Sequence, residues 1–203
     1  MKKYAVLHEP GDIVTLAGTR FVVLDVERRG SLPDSLFLLA LESVGASEFG
    51  SSNNYAESDL KKAVDKWLED MGKRGLDNAK LIPREIDLTT LDGSGCYGKL
   101  SVKAAPLTLD EAREYADIIP NAERWCWLAT GWSGPSKSDG DLALYVGSYG
   151  DWGSYYCSNS YGIRPALKAP SILFEDSEAG LDLSKIPTDD LLQEIHRRLA
   201  EKA

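Results

Sequence analysis

The stretch from Trp125 to Leu167 restricts the fold of this chain more than any other. It opens on Trp125-Cys126-Trp127-Leu128, passes through Gly131-Trp132-Ser133-Gly134-Pro135 to Leu142-Ala143-Leu144-Tyr145-Val146, and closes on Tyr161-Gly162-Ile163-Arg164-Pro165-Ala166-Leu167. Short apolar runs bounded by Gly, Ser and Pro fit β-strands. Their spacing predicts strands at Trp125–Ala129, Leu142–Val146 and Ile163–Lys168, with Pro165 near an edge or a bulge. Trp125, Trp127, Leu142, Leu144, Ile163, Arg164 and Leu167 then form a frame. The frame holds out the polar, aromatic segment Ser148 to Tyr161.

Upstream, Asp12–Leu16, a turn at Ala17-Gly18-Thr19 and Arg20–Val26 predict a hairpin rich in β-branched residues. A second turn, Arg29 to Asp34, leads to the apolar run Leu36–Leu41, a central strand that completes an antiparallel meander. Ser58 is an N-cap for a helix from Asp59 to about Met71, with Leu60, Val64, Trp67, Leu68 and Met71 on one face and Gly72 after the end. Thr108-Leu109-Asp110-Glu111 has the capping-box pattern of a second helix, which buries Ala112, Tyr115, Ala116 and Ile119 before Pro120 stops it. Between the helices, Leu81 to Pro106 has turn chemistry at Asp92-Gly93-Ser94-Gly95 and a weak strand pattern on either side. Helices set between groups of strands predict an α+β domain and not alternating βαβ units. The domain is expected over residues 1–175. A linker and C-terminal helix follow over 176–203, opening at Pro187-Thr188-Asp189-Asp190 with Leu191, Leu192, Ile195 and Leu199 in a stripe. That helix is open to two roles, packing on the domain or docking on a partner or second copy.

With 203 residues, 43% of them hydrophobic and 27% charged, the chain can bury a substantial single core. Its net charge of -9 excludes the basic field that nucleic-acid binding requires. Met1-Lys2-Lys3 is followed by too short an apolar run for a signal peptide, and no stretch reaches the length of a membrane-spanning helix. Cytoplasmic synthesis is expected, with association to a virion as the route out. Cys96, Cys126 and Cys157 are too few and too widely spaced for a disulfide framework or a zinc site, so three reduced thiols are expected, Cys126 buried.

Catalytic chemistry is hard to find. His8 falls in an expected surface turn and His196 on the exposed side of the terminal helix; there is no nucleophile elbow and no phosphate loop. Gly131-Trp132-Ser133-Gly134 lacks the spacing of a serine nucleophile motif, and Asp139-Gly140-Asp141 reads as a turn. No catalytic residue, metal or cofactor is expected. What stands out is the run Gly147 to Gly162, in which Tyr and Trp supply rigid amphipathic area and Ser, Gly and Asn supply adaptable hydrogen bonds, the chemistry of antibody paratopes. The expected ligand-binding face comprises Ser148, Tyr149, Asp151, Trp152, Ser154, Tyr155, Tyr156, Ser158, Asn159 and Tyr161, with Trp132 and its neighbours Ser133 and Asp139 as an adjoining loop. The expected partner is a protein or cell-surface ligand.

Several blocks resemble a family of C-type-lectin-fold domains found in gut bacteria and their phages: Phe21–Leu24, Asn53-Asn54-Tyr55, Ser58-Asp59-Leu60 leading to Trp67-Leu68, Pro106–Ala112, Trp125–Leu128 and above all Gly162-Ile163-Arg164-Pro165-Ala166-Leu167. The resemblance spans about residues 10 to 170. It implies two helices flanking antiparallel strands, with the last strands and loops presenting a binding face. Within that fold the segment is similar to the variable proteins of diversity-generating retroelements, in which mutated AAC or AAT codons yield Asn, Ser, Tyr, Asp, Gly and Cys. Trp152 is not reachable from such codons and would be a scaffold residue; a further departure is the tail after Leu167. The calcium motifs of sugar-binding lectins are absent, which disfavours calcium-dependent sugar binding. Two other classes remain open. One is a structural or assembly module of a phage particle, docking through the terminal helix. The other, by resemblance to formylglycine-generating enzymes, is a cysteine enzyme in which Cys126 and Cys157 lie on adjacent strands.

Overall fold

The computed structural model describes residues 8–29, 32–137 and 139–174, together with 188, 189, 192, 193 and 197. Alternation decides the first hairpin. In Ile13–Leu16 (β1), Val14 and Leu16 are buried while Ile13 and Thr15 are exposed, and the strand pairs antiparallel with Thr19–Arg29 (β2). Phe21, Val22, Val23 and Leu24 are all buried, so β2 is covered on both faces. Phe21 and Val23 enter one core, Val22 and Leu24 another. Leu32–Ala40 (β3) completes the meander as expected, starting earlier than the apolar run at Leu36, with a register shift between Val23 and Asp25.

Asn54 caps a short 3₁₀ turn at Tyr55–Glu57, and Ser58 then caps Asp59–Lys73 (α1), its hydroxyl accepting from Lys61 N at 2.9 Å. Leu60, Val64 and Met71 are fully buried against the first core, and Trp67 and Leu68 pack at its rim. Gly72 does not end this helix. It lies within the last turn, and Arg74 is the C-cap.

Leu109–Glu114 (α2) has both hydrogen bonds of the capping box, Glu111 N to Thr108 Oγ1 and Thr108 N to the Glu111 carboxylate. It is shorter than the sequence suggested and leaves Ala116 exposed. Pro120 cannot donate to Ala116 and disfavours helical geometry at Ile119, so from Tyr115 onward turn bonds such as Ile118 N to Tyr115 O replace the helix.

The meander joins Ala166–Pro170 (β12) and Ala104–Ala105 (β7) in a five-stranded sheet of order β1-β2-β3-β12-β7. A second five-stranded sheet has the order β10-β9-β8-β11-β4, formed by Trp152–Tyr156 (β10), Leu142–Val146 (β9), Cys126–Gly131 (β8), Ser160–Gly162 (β11) and Ala46–Glu48 (β4). Its pairs are antiparallel except β11 with β8, which is parallel. The weak pattern at Leu81 to Pro106 resolves into a two-stranded ladder of Arg84–Asp87 (β5) and Lys99–Val102 (β6). The architecture is α+β. The expected terminal helix falls mostly outside the described residues.

Three expectations for the frame need correction. Cys126 and Cys157 are not on adjacent strands, because β9 lies between β8 and β10, the strand that Cys157 follows. Ile163 to Pro165 are not part of the last strand but a crossing between sheets. There Gly162 is needed for close approach, since a Cβ would sit 2.7 Å from Cys126 Sγ and 3.0 Å from the Trp125 carbonyl. Trp125 is not frame either; it is 40% exposed.

The loops around β9 are tied by one buried amide. Asn53, 1% exposed, donates from Nδ2 to the carbonyls of Ser133 at 2.9 Å and Leu142 at 3.0 Å, and accepts from Tyr97 Oη at 2.6 Å. Removing it takes the donor from the Ser133 carbonyl and the acceptor from the half-buried Tyr97 hydroxyl, while the Leu142 carbonyl keeps Trp132 N. Asn53→Ala is therefore expected to lower stability by about 2–4 kcal/mol, measured by urea denaturation, whereas Asn53→Asp, of nearly equal volume, should cost at least as much because two of the contacts are carbonyl acceptors.

Candidate functional site

The segment singled out in the sequence forms the outer hairpin of the second sheet. β9 and β10 are joined by the turn Gly147 to Asp151, closed by Gly147 N donating to Asp151 O at 2.7 Å. Ser148 is partly exposed, Tyr149 is 88% exposed at the tip, and Asp151 is exposed. Ser158 and Asn159 lie in the turn after β10, with Asn159 N bonded to Tyr156 O at 3.0 Å.

Strand alternation then divides the remaining candidates between two faces. In the β9–β10 register Trp152 faces Val146, Ser154 faces Leu144 and Tyr156 faces Leu142, whereas Gly153 faces Tyr145 and Tyr155 faces Ala143. Leu144 and Val146 belong to the core beneath α2, and Trp152 follows them. Its ring lies 5.8 Å from the Arg113 guanidinium on α2, a cation–π contact. Trp132 also packs against that core. Ser133, 2% exposed, points inward with no partner for its hydroxyl among the described residues, while Asp139 is exposed.

The opposite face gathers the aromatic residues. Trp125 and Tyr145 stack with centroids 4.7 Å apart and planes 5° apart. Tyr161 sits among them, 5.5 Å from Trp125, 5.4 Å from Tyr145, 4.6 Å from Trp127 and 5.9 Å from Tyr155. Tyr156, at the end of the strand, reaches back to Tyr155 edge-on at 5.9 Å. The platform is pinned from below, where Trp127 donates from Nε1 to the Ser47 carbonyl at 3.0 Å and meets Phe49 edge-on. Burial, then the neighbouring Tyr155 and Tyr145, push the Tyr161 phenol up, so it stays a neutral donor. Beside the platform lies an open hollow of about 420 Å³ lined by Glu123, Arg124, Ser160, Trp125 and Tyr161 among others.

Two members of this platform were not among the sequence candidates, Trp125 and Tyr145. The usable signal was parity: Trp125, Trp127 and Tyr145 share a face once Trp127 is paired with Tyr145. Gly153 was a second signal, since a lone glycine in an aromatic strand marks close approach. A Cβ there would lie 2.6 Å from Tyr145 Oη, so the glycine makes room for the Tyr145 ring to lie over the strand and reach Trp125.

Among the described residues no group of three or more His, Cys, Asp or Glu is placed to hold a metal ion. Burial pushes the Cys126 thiol up to about 11 and the Cys157 thiol up to about 12, the latter raised further by Asp141. Compared with protein-family models, with curated proteins and with solved structures, the chain matches none.

The thiols give a test with a definite sign. In the unfolded chain they ionise near the ordinary value of 9.0, well before they can in the fold, so the unfolded state releases protons first. Their contribution to stability is complete below about pH 9 and is lost as pH rises through about 11 to 12. Native protein at neutral pH is expected to react rapidly with a thiol reagent at exposed Cys96 alone, and at all three cysteines in denaturant, read by absorbance.

Proposed function

We propose that this chain is a non-enzymatic binding protein. Its ligand face is the aromatic platform of Trp125, Tyr145, Tyr155 and Tyr161, extended by Tyr156, the hairpin tip at Ser148, Tyr149 and Asp151, and the turn at Ser158 and Asn159. The observation that carries this reading is a preassembled aromatic surface bordered by the exposed polar side chains of Asp151 and Ser158. Tyr149, Tyr155 and Tyr156 are 88%, 42% and 56% exposed, and none of the three contributes to either core. Rigid aromatics supply contact area at small entropic cost, and the Ser and Asn residues around them supply adaptable hydrogen bonds. The ligand class is a protein or other cell-surface molecule, because the surface is broad and open and not a deep pocket.

Within this reading the segment corresponds to the diversified region of a retroelement variable protein on a C-type-lectin-like scaffold. The placement of Trp152 supports that version. It is the one large side chain of the segment that the codon chemistry does not reach, and its ring is turned toward α2 with the Arg113 guanidinium 5.8 Å away, while 40% of the residue stays exposed. The buried, separated thiols weigh against the cysteine enzyme, because a protonated Cys126 on β8 has no second thiol on the neighbouring strand.

Sequencing this gene from many related isolates tests the proposal. Substitutions are expected to concentrate at codons 148, 149, 151, 154–156, 158, 159 and 161, opposite adenines of a nearby near-identical repeat, with codons 125, 127, 145, 152 and 153 constant. Variation spread evenly along the gene, or constancy at those nine codons, would count against it. Purified Tyr149→Ser should keep wild-type stability within about 0.5 kcal/mol, measured by thermal melting, because no packing is lost.

A further inference from the structure

We propose that β10 pairs edge to edge with β10 of a second copy of this chain, so that the second sheets of the two copies become one continuous antiparallel sheet. The direction of the main-chain groups on β10 is fixed at both of its ends. Gly147 N donates to Asp151 O at 2.7 Å and Cys157 N to Asp141 O at 2.7 Å, so the odd-numbered residues from Asp151 to Cys157 turn their N–H and C=O toward β9. The even positions of β9 serve β8 instead, as the bond from Trp132 N to Leu142 O at 2.9 Å shows. Trp152, Ser154 and Tyr156 therefore turn their main-chain groups outward. Among the described residues the only one of these groups with a partner is Tyr156 O, which accepts from Asn159 N at 3.0 Å and from its Nδ2 at 3.3 Å.

Nothing on the strand opposes pairing. Sheet edges are ordinarily guarded by charge, proline, bulges or a covering helix. The far edge of this sheet, β4, is three residues long, carries Glu48 and lies against α1. By contrast β10 is five residues long without charge or proline, keeps an unbroken register on β9, and leaves Trp152, Tyr155 and Tyr156 exposed.

The strand is complementary to itself. An antiparallel pair centred on Ser154 uses its full length: Ser154 N donates to Ser154 O of the second copy and Tyr156 N to Trp152 O, each bond repeated by the two-fold, while Tyr156 O keeps its turn bond. In that register Trp152 stands opposite Tyr156, and Tyr155 opposite Gly153, aromatic against glycine. The net charge of -9 sets the copies against one another, but none of it lies on the strand. A pair of this length buries less than the roughly 1,200 Å² of a stable interface, so the dimer is weak and reversible. Its two-fold stands perpendicular to the sheet, and both aromatic platforms face the same side. The pairing itself uses main-chain groups and stands whether or not the platforms bind a ligand.

Sedimentation velocity on the full chain from about 5 µM to about 1 mM tests the pairing, with a dimer Kd of roughly 0.1–1 mM expected, tightening several-fold as added salt screens the like charges. Ser154→Lys sets two ammonium groups opposite each other, and Ser154→Pro removes only an outward N–H; both should stay monomeric with an unchanged circular dichroism spectrum. On a Cys96→Ser background, Ser154→Cys should oxidise to a disulfide-linked dimer, because residues paired across the axis have Cα atoms about 5.5 Å apart, and Ser158→Cys should not. Monomer at every concentration, a dimer undiminished in either Ser154→Lys or Ser154→Pro, or equal cross-linking of Ser154→Cys and Ser158→Cys would overturn the proposal.

Discussion

Between Gly162 and Ala166 the chain leaves one five-stranded sheet and enters the other, and the relation of the two sheets depends on how that crossing is held. Arg164 holds it. Its guanidinium, 6% exposed, donates from Nε to the Ala40 carbonyl at 2.8 Å and from Nη1 to the Pro120 carbonyl at 2.9 Å, while Ala40 N donates to Pro165 O at 2.9 Å. One side chain thus ties the end of β3, the segment after α2 and the crossing itself. Burial lowers the pKa of the guanidinium, yet an arginine keeps its charge in the fold, and two carbonyl dipoles take the place of a carboxylate partner. A neutral residue there would leave both carbonyls without their donor in the interior.

The crossing also explains why the platform is rigid. Tyr161 lies immediately before it, on β11, and β11 is locked between β8 and β4. Trp125 lies immediately before β8, and its carbonyl accepts from Gly162 N at 2.8 Å. The two aromatic residues at the centre of the surface are therefore set by the backbone contacts that join the sheets. A ligand meeting this surface would find its aromatic part already ordered and would lose little conformational entropy there.

Local chemistry made much of the fold legible. The meander, the Ser58 cap and the Thr108 capping box each follow from residues within a few positions of one another, and each is found where the sequence placed it. Partnership across the chain was not legible. Nothing near Trp125 says that it stacks on Tyr145 rather than entering the core, because that depends on which strand lies beside β8 and in what register. The same reason separated the candidate residues: Trp152 and Tyr155 read as one aromatic patch in sequence, but the pleat sends them to opposite faces. The shortened α2 has a local cause in Pro120, which offers Ala116 no backbone donor.

β10 stands at the end of its sheet, and among the described residues it is hydrogen-bonded to β9 alone. Its side chains still reach further: Trp152 meets Arg113 of α2, Gly153 leaves room for Tyr145, Tyr155 touches Tyr161 of β11, and Cys157 after the strand is fixed by Asp141 and by Phe49 N at 2.9 Å. Were this face diversified as proposed, constant and changing positions would interleave along single strands: Trp152 and Gly153 of β10 would stay fixed beside Ser154 to Tyr156, and Tyr161 would change on β11, a strand held between two others.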